Sequence, residues 1–318
     1  MEAVRVLHSR PCLPFGPDPV PQGVSVLAVD SPAGELTALL SPAEGGEKGR
    51  VLVIPGFTGS KEDFTHFLPL LARAGYTSLA YSQRGQADSA APRGRSSYRL
   101  ENFVGDALVV ARDLGAQTSP VHLLGHSFGG VVARAALIAE PGLFRSLTLF
   151  SSGPRAVRAG LPALLAPVLP HGRLGHAMLR RALHPDMPRT AQADPRLEML
   201  RQRVESTSDD NLVGIARILT TYPDTSADLA ATAVPVHVVH GSEDPMWPPE
   251  WYGPEVRVLG ATHTVIPGAQ HSAQIEAPQA LADALVGFWA SHPGTPAGQS
   301  SPASTPGSTT ASTPAARP

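Results

Sequence analysis

Cysteine is nearly absent: Cys12 is the single one in 318 residues. An internal disulfide framework is thereby excluded, and a reducing, cytoplasmic location is expected. No stretch reaches the roughly 18 apolar residues of a membrane-spanning helix. Residues 1–10 lack the apolar core and cleavage site of a secretory signal. The 25 basic and 27 acidic side chains are dispersed, for a net charge of −2, with neither a basic stripe nor a polybasic run. Nucleic acid and a membrane surface are therefore not expected partners, which leaves a small-molecule substrate and an open oligomeric state. No His-Glu-x-x-His motif and no Gly-Lys-Ser/Thr phosphate loop occur, so neither a metal nor another cofactor is expected. No internal repeat of solenoid length is present.

Large apolar residues are also missing from 293–318, where Pro, Ala, Ser, Thr and Gly recur apart from Gln299 and Arg317. Such a segment cannot offset the entropy of ordering, so a disordered tail is expected there. The rest suits one large α/β domain with an insertion. Residues 24–29 and 35–40 flank the turn Ser31-Pro32-Ala33-Gly34 and read as an antiparallel hairpin. Residues 51–54 are a continuous apolar run, the pattern of a strand buried on both faces. Helical periodicity follows at 63–74, then a strand at 77–81, a helix at 98–114, a strand at 121–124 and a helix at 128–139. Strands at 146–150 and 236–239, apolar runs at 256–259 and 263–266, and a helix at 278–290 complete the series. Alternating strands and helices imply an α/β fold, its mostly parallel sheet covered on both faces. Residues 1–152 and 223–292 form this core, 153–222 a helical insertion over one end, and 293–318 the tail.

Gly125-His126-Ser127-Phe128-Gly129 lies between a buried strand and a helix. Alone, it is also compatible with a plain glycine-rich turn. In this position, Gly-x-Ser-x-Gly is a sharp turn that strains Ser127 and lifts its hydroxyl clear of the sheet. Gly125 and Gly129 supply the small neighbours such a turn tolerates, and the following helix directs free N–H groups toward developing negative charge.

These residues resemble the α/β-hydrolase superfamily over most of 51–290. The resemblance implies an α/β-hydrolase fold, with a mostly parallel eight-stranded sheet, helices on both faces and a helical cap. It also implies roles for individual residues. Ser127 would be the nucleophile, and the backbone N–H groups of Phe57, in Pro55-Gly56-Phe57-Thr58-Gly59-Ser60, and of Phe128 would be the oxyanion donors. His271, in Gly268-Ala269-Gln270-His271 before Glu276-Ala277-Pro278, resembles the family's base. Asp244, in Gly241-Ser242-Glu243-Asp244 after a strand, resembles its acid. Glu243 should face the other way in a tight turn, and Asp224 and Asp228 precede the strand, so they are expected near its opposite end. The position after strand 146–150, where some members carry the acid, reads Ser151-Ser152-Gly153. His126 is expected to point away from Ser127 and hold the turn.

The loop 81–89 resembles Asp-x-Arg-Gly-x-Gly-x-Ser but departs at Ser82 and Ala87, which leaves Arg84 a structural role. In the insertion, Leu161, Leu164, Leu165, Val168 and Leu169 could line an acyl pocket or form cap core. Arg155, Arg158, Arg173, Arg180 and Arg181 could meet an anion or lie on solvated helix faces. The implied activity is hydrolysis of a carboxylic ester or thioester of a small or lipid-like substrate, through an acyl-enzyme. The same triad also serves C–C bond hydrolysis and cofactor-free perhydrolysis, and a binding protein that has lost turnover stays open. Dehalogenases and epoxide hydrolases of this fold carry Asp where Ser127 stands.

Overall fold

The computed structural model describes residues 6–157 and 190–293. Among the described residues nine strands form one sheet: β1 (Ser9–Pro11), β2 (Ser25–Ser31), β3 (Gly34–Ser41), β4 (Gly49–Ile54), β5 (Tyr76–Tyr81), β6 (Val121–His126), β7 (Phe144–Phe150), β8 (Val236–Gly241) and β9 (Thr262–Ile266). Their order is β1-β2-β3-β5-β4-β6-β7-β8-β9. β1, β2, β3 and β5 pair antiparallel, and every pairing from β5 through β9 is parallel. The sheet thus exceeds the expected eight strands. The three-residue β1, an edge strand ending at Pro11, is too short to show an alternation that a sequence reading can detect.

The helices are α1 (Leu68–Arg73), α2 (Leu100–Asp113), α3 (Phe128–Ala139), α4 (Pro195–Ser206), α5 (Asp209–Thr221), α6 (Ser226–Ala231), α7 (Pro249–Leu259), α8 (Ala273–Glu276) and α9 (Pro278–Ala290). The central strands β5 and β6 are buried at every residue, Thr77, Ser78 and His122 included, as expected of parallel strands covered on both faces. Leu52 and Ile54 of β4 face one layer, with Phe103 and Val110 of α2 and Val131 of α3. Val51 and Val53 face the other, with Leu68 and Leu71 of α1 and Leu285 and Trp289 of α9. Each such large apolar side chain contributes about 1.5–3 kcal/mol when buried.

Two local readings are corrected. Residues 256–259 end α7 instead of forming a strand, because a four-residue apolar run has no period that separates helix from strand. The helix expected over 63–74 is divided into a 3-10 turn, Lys61–Phe64, and α1. Pro69 has no N–H to continue an α-helical ladder, but it fits the first turn of a new helix.

The insertion contributes α4 and α5. Leu161, Leu164, Leu165, Val168, Leu169, Arg158, Arg173, Arg180 and Arg181 lie outside the described residues, as does the tail after Pro293. Arg155 is described and lies over the ring of Trp251, 4.4 Å from its centroid. Among the described residues, no helix is long and apolar enough to cross a membrane.

Parallel strands deliver their following loops to one edge of the sheet, where binding sites of open α/β folds gather. β4, β6, β7, β8 and β9 are consecutive neighbours, apart from the parallel pairing of β4 with β5 on its other side. The loops after β4, β6, β8 and β9 therefore converge. A buried ion pair between Arg134 of α3 and Glu255 of α7 ties the helix behind Ser127 to the one following Asp244.

Candidate active site

β6 ends at His126 and α3 starts at Phe128, so the chain must turn at one residue. Ser127 makes that turn with φ 54° and ψ −119°, a conformation that a side chain rarely adopts. Packing enforces it. A Cβ on Gly125 would stand 2.6 Å from the Gly130 Cα, and one on Gly129 would stand 2.6 Å from the Pro55 carbonyl oxygen. The Ser127 N–H donates to Phe150 O at 2.9 Å, and Ser127 O accepts from the Gly130 N–H at 2.9 Å. The loop after β4 closes against this turn, for a Cβ on Gly56 would lie 3.0 Å from the Ser127 Cβ.

His271 and Asp244 meet as expected. His271 Nδ1 lies 3.0 Å from both carboxylate oxygens of Asp244. The Asp244 side chain is 1% exposed, and its Oδ1 also accepts the Met246 N–H at 2.9 Å. Burial pushes this carboxyl up, but the hydrogen bond and charge of His271 outweigh it and hold the group below the usual carboxylate value. Glu276 accepts the N–H groups of Gln270 and Ser272, on either side of His271, and so fixes the backbone of that loop. Asp224 departs from its expected place. It borders the same cavity of about 1260 Å³ as Asp244, because Tyr222 and Pro223 bring the chain back from the insertion before α6 leads it to β8. Its Oδ1 is engaged by the Ser226 N–H at 2.9 Å.

Ser127 and His271 line a separate pocket of about 240 Å³, together with Phe57 and the apolar side chains of Met199, Leu200 and Ile275. Met199 and Leu200 belong to α4, so the insertion supplies one wall. No direct hydrogen bond joins Ser127 to His271 in this structure; catalytic contacts of this kind commonly tighten when substrate binds. The N–H groups of Phe57 and Phe128 donate to no acceptor among the described residues. They are the two expected donors, one on each side of the Gly56–Ser127 contact.

The His126 side chain, expected to point away from Ser127, reaches the His271 loop and lines the same small pocket as Ser127. Its Nε2 lies 2.9 Å from the His271 carbonyl oxygen. A carbonyl only accepts, so Nε2 carries the proton. Burial, then the charge of His271, pushes His126 down to about 4, which keeps it neutral. Arg84 has the structural role expected of it, bonding Asp106 through Nε at 2.7 Å and Nη2 at 2.8 Å. Its neighbours Gln83 and Gln86 were not legible in the sequence. Both are buried, and they donate to Pro55 O at 2.9 Å and Gly56 O at 2.8 Å.

Residues 51–284 match the model of the alpha/beta hydrolase family. The chain belongs to that family. Epoxide hydrolase B of Mycobacterium tuberculosis is 37% identical over 83 residues, a match spanning 26% of this chain and 23% of that protein. Epoxide hydrolase 2 of Siraitia grosvenorii is 31% identical, over 33% of each chain. Among solved structures, a thermophilic esterase from Thermogutta terrifontis has a TM-score of 0.67 at 22% identity, covering 84% of this chain and 99% of its own. An epoxide hydrolase from Vigna radiata has a TM-score of 0.66 at 18% identity, covering 85% and 99%. These structural likenesses concern the fold.

Proposed function

We propose that the chain is a serine hydrolase that cleaves a carboxylic ester or thioester of a small or lipid-like substrate. The observation that carries this reading is the strained Ser127 in one pocket with Phe57, whose N–H is unengaged, and with His271, whose Nδ1 meets the buried Asp244 behind it. His271 removes the Ser127 proton as Oγ attacks the carbonyl carbon. The tetrahedral oxyanion is held by the Phe57 and Phe128 N–H groups, which cost no reorganisation when charge develops. His271 then gives its proton to the leaving alkoxide or thiolate, and the acyl-enzyme forms. Water, deprotonated by His271, repeats the attack and releases the acid with Ser127 restored. Asp244 holds the imidazole with Nδ1 protonated and stabilises the imidazolium.

The sequence relatives raise epoxide opening as a competitor. Attack on an epoxide by a serine hydroxyl would leave an alkyl ether, which offers water no carbonyl to attack. A carboxylate nucleophile instead gives a hydrolysable ester. Ser127 therefore supports acyl transfer. The test is turnover of p-nitrophenyl esters of two to eight carbons alongside styrene oxide. The wild type should hydrolyse the esters, Ser127→Ala should lose at least about a thousandfold in kcat, and styrene oxide should stay intact. Epoxide turnover that survives Ser127→Ala would overturn the reading.

A further inference from the structure

Gln83 and Gln86 stand at the unspecified positions of the loop after β5, between Ser82 and Ser89. Gln86 is fully buried. Its Oε1 accepts the Gln83 backbone N–H at 3.0 Å, and its Nε2 donates to Gly56 O at 2.8 Å. The two contacts fix the orientation of the amide, because an N–H needs an acceptor and a carbonyl needs a donor. Gly56 O and the Phe57 N–H belong to the same peptide unit. That unit is planar and trans, since no cis peptide occurs among the described residues, so its C=O and N–H point in opposite directions. A donor clamped on the Gly56 oxygen from one side therefore sets the direction of the Phe57 N–H on the other.

The adjoining peptide is clamped in the same way, with Gln83 Nε2 donating to Pro55 O at 2.9 Å. Clamping matters here because the next residue, Thr58, has φ 58°, a strained conformation for a threonine. Rotation of the Gly56–Phe57 peptide would turn the N–H away from the pocket. The loop has nothing else of comparable hold on that oxygen apart from the Gly59 N–H at 3.2 Å.

We infer that Gln86 is a positioning residue for the oxyanion donor: by holding the Gly56 carbonyl it aims the Phe57 N–H at the oxygen that becomes negative during acyl transfer. Gln83 supports the preceding peptide. The inference rests on the serine-hydrolase reading above. Donor direction matters in the transition state and little in the ground state, so a variant should lose kcat and keep KM.

The test uses wild type, Gln86→Glu and Gln86→Met on a p-nitrophenyl ester, with thermal melts as the folding control. Glutamate keeps the shape and the acceptor for Gln83 but, when ionised, lacks the donor. At pH 8 its kcat should fall about 10- to 100-fold with KM within about twofold. Its rate relative to wild type should rise as pH falls toward 5.5, because the protonated carboxyl of a buried glutamate regains a donor. Gln86→Met, with no donor at any pH, should show the kcat loss without that recovery; if it fails to fold, the pH dependence of Gln86→Glu decides alone. Wild-type kcat in Gln86→Glu, a loss confined to KM, or a ratio flat with pH would overturn the inference. Absence of any esterase turnover in the wild type would instead remove the serine-hydrolase reading and this inference with it.

Discussion

On the nucleophile wall of the pocket, backbone packs directly on backbone. Gly125 and Gly129 have no room for a Cβ, and Ser127 is forced into a left-handed turn between them. On the His271 side, side chains bind backbone and one another: Asp244 to His271 and Met246, Glu276 to Gln270 and Ser272, and His126, reaching across from the nucleophile turn, to the His271 carbonyl. Gly241 is the exception there, packed against the carbonyls of Ala269 and Gln270. The first wall is set by steric exclusion, which no change of pH relaxes. The second depends on which atoms carry protons. Changes to the first should therefore damage the fold together with the activity, and changes to the second should damage activity while the fold survives.

The largest effect should come from the polar wall. Asp244→Asn preserves shape but favours the wrong tautomer of His271, and initial rates of ester hydrolysis should fall by roughly four orders of magnitude. Asp224→Asn should cost less than about threefold, since its Oδ1 is engaged by the Ser226 N–H and an amide oxygen can accept the same bond. If the two effects were exchanged, the acid would be misassigned.

The steric wall is tested by Gly129→Ala. The added Cβ would overlap backbone atoms of Ile54 and Pro55 that cannot rotate away, so the cost should exceed about 3 kcal/mol in a denaturant titration. Gly105→Ala, where a Cβ meets nothing within 4 Å, should be neutral or stabilising. Equal stability of the two variants would contradict a wall built by close packing.

Acid should weaken the fold through buried imidazoles. Burial is the main force that pushes His122 down to about 3, and His126 and His237 to about 4. Below the ordinary value near 6.5, the unfolded chain takes up protons at these sites and the folded chain does not. Stability is therefore lost as pH falls from about 6.5 toward 4. Asp244 acts in the same direction, because its folded value is lowered: its contribution is present above the ordinary carboxylate value and lost as pH falls through the folded one. The melting temperature should drop by several degrees between pH 7.5 and 5, and His237→Asn should flatten that slope. A melting temperature independent of pH over that range would contradict the assignment of these imidazoles as buried and neutral.

A smaller loss of activity than that of Asp244→Asn should follow from His126→Phe. The ring volume is kept, but the hydrogen bond to the His271 carbonyl is lost, and kcat should fall about tenfold. A wild-type kcat would show that the base's loop holds its place without His126.

The contrast between the walls also explains what could be read in advance. Gly125, Ser127 and Gly129 are legible because backbone contact admits glycine and little else, and the buried strand β4 is legible as the apolar run 51–54. The Asp244–His271 pair was found through the loops that carry it, ahead of any geometry. Gln83 and Gln86 escaped because their bonds to Pro55 and Gly56 cross 28 and 30 residues, and a side chain bonded to a distant carbonyl leaves no periodic trace. β1 was too short to show alternation, and 256–259 carried no signal that separates a helix end from a strand.

The central claim is that Ser127 is the group that becomes acylated. It is tested most directly by treating the protein with a fluorophosphonate, weighing the intact chain and mapping the modified peptide. The account predicts one adduct per chain, on Ser127, that appears as ester turnover disappears and is absent from Ser127→Ala. An adduct on another residue, or full inactivation without modification of Ser127, would contradict it.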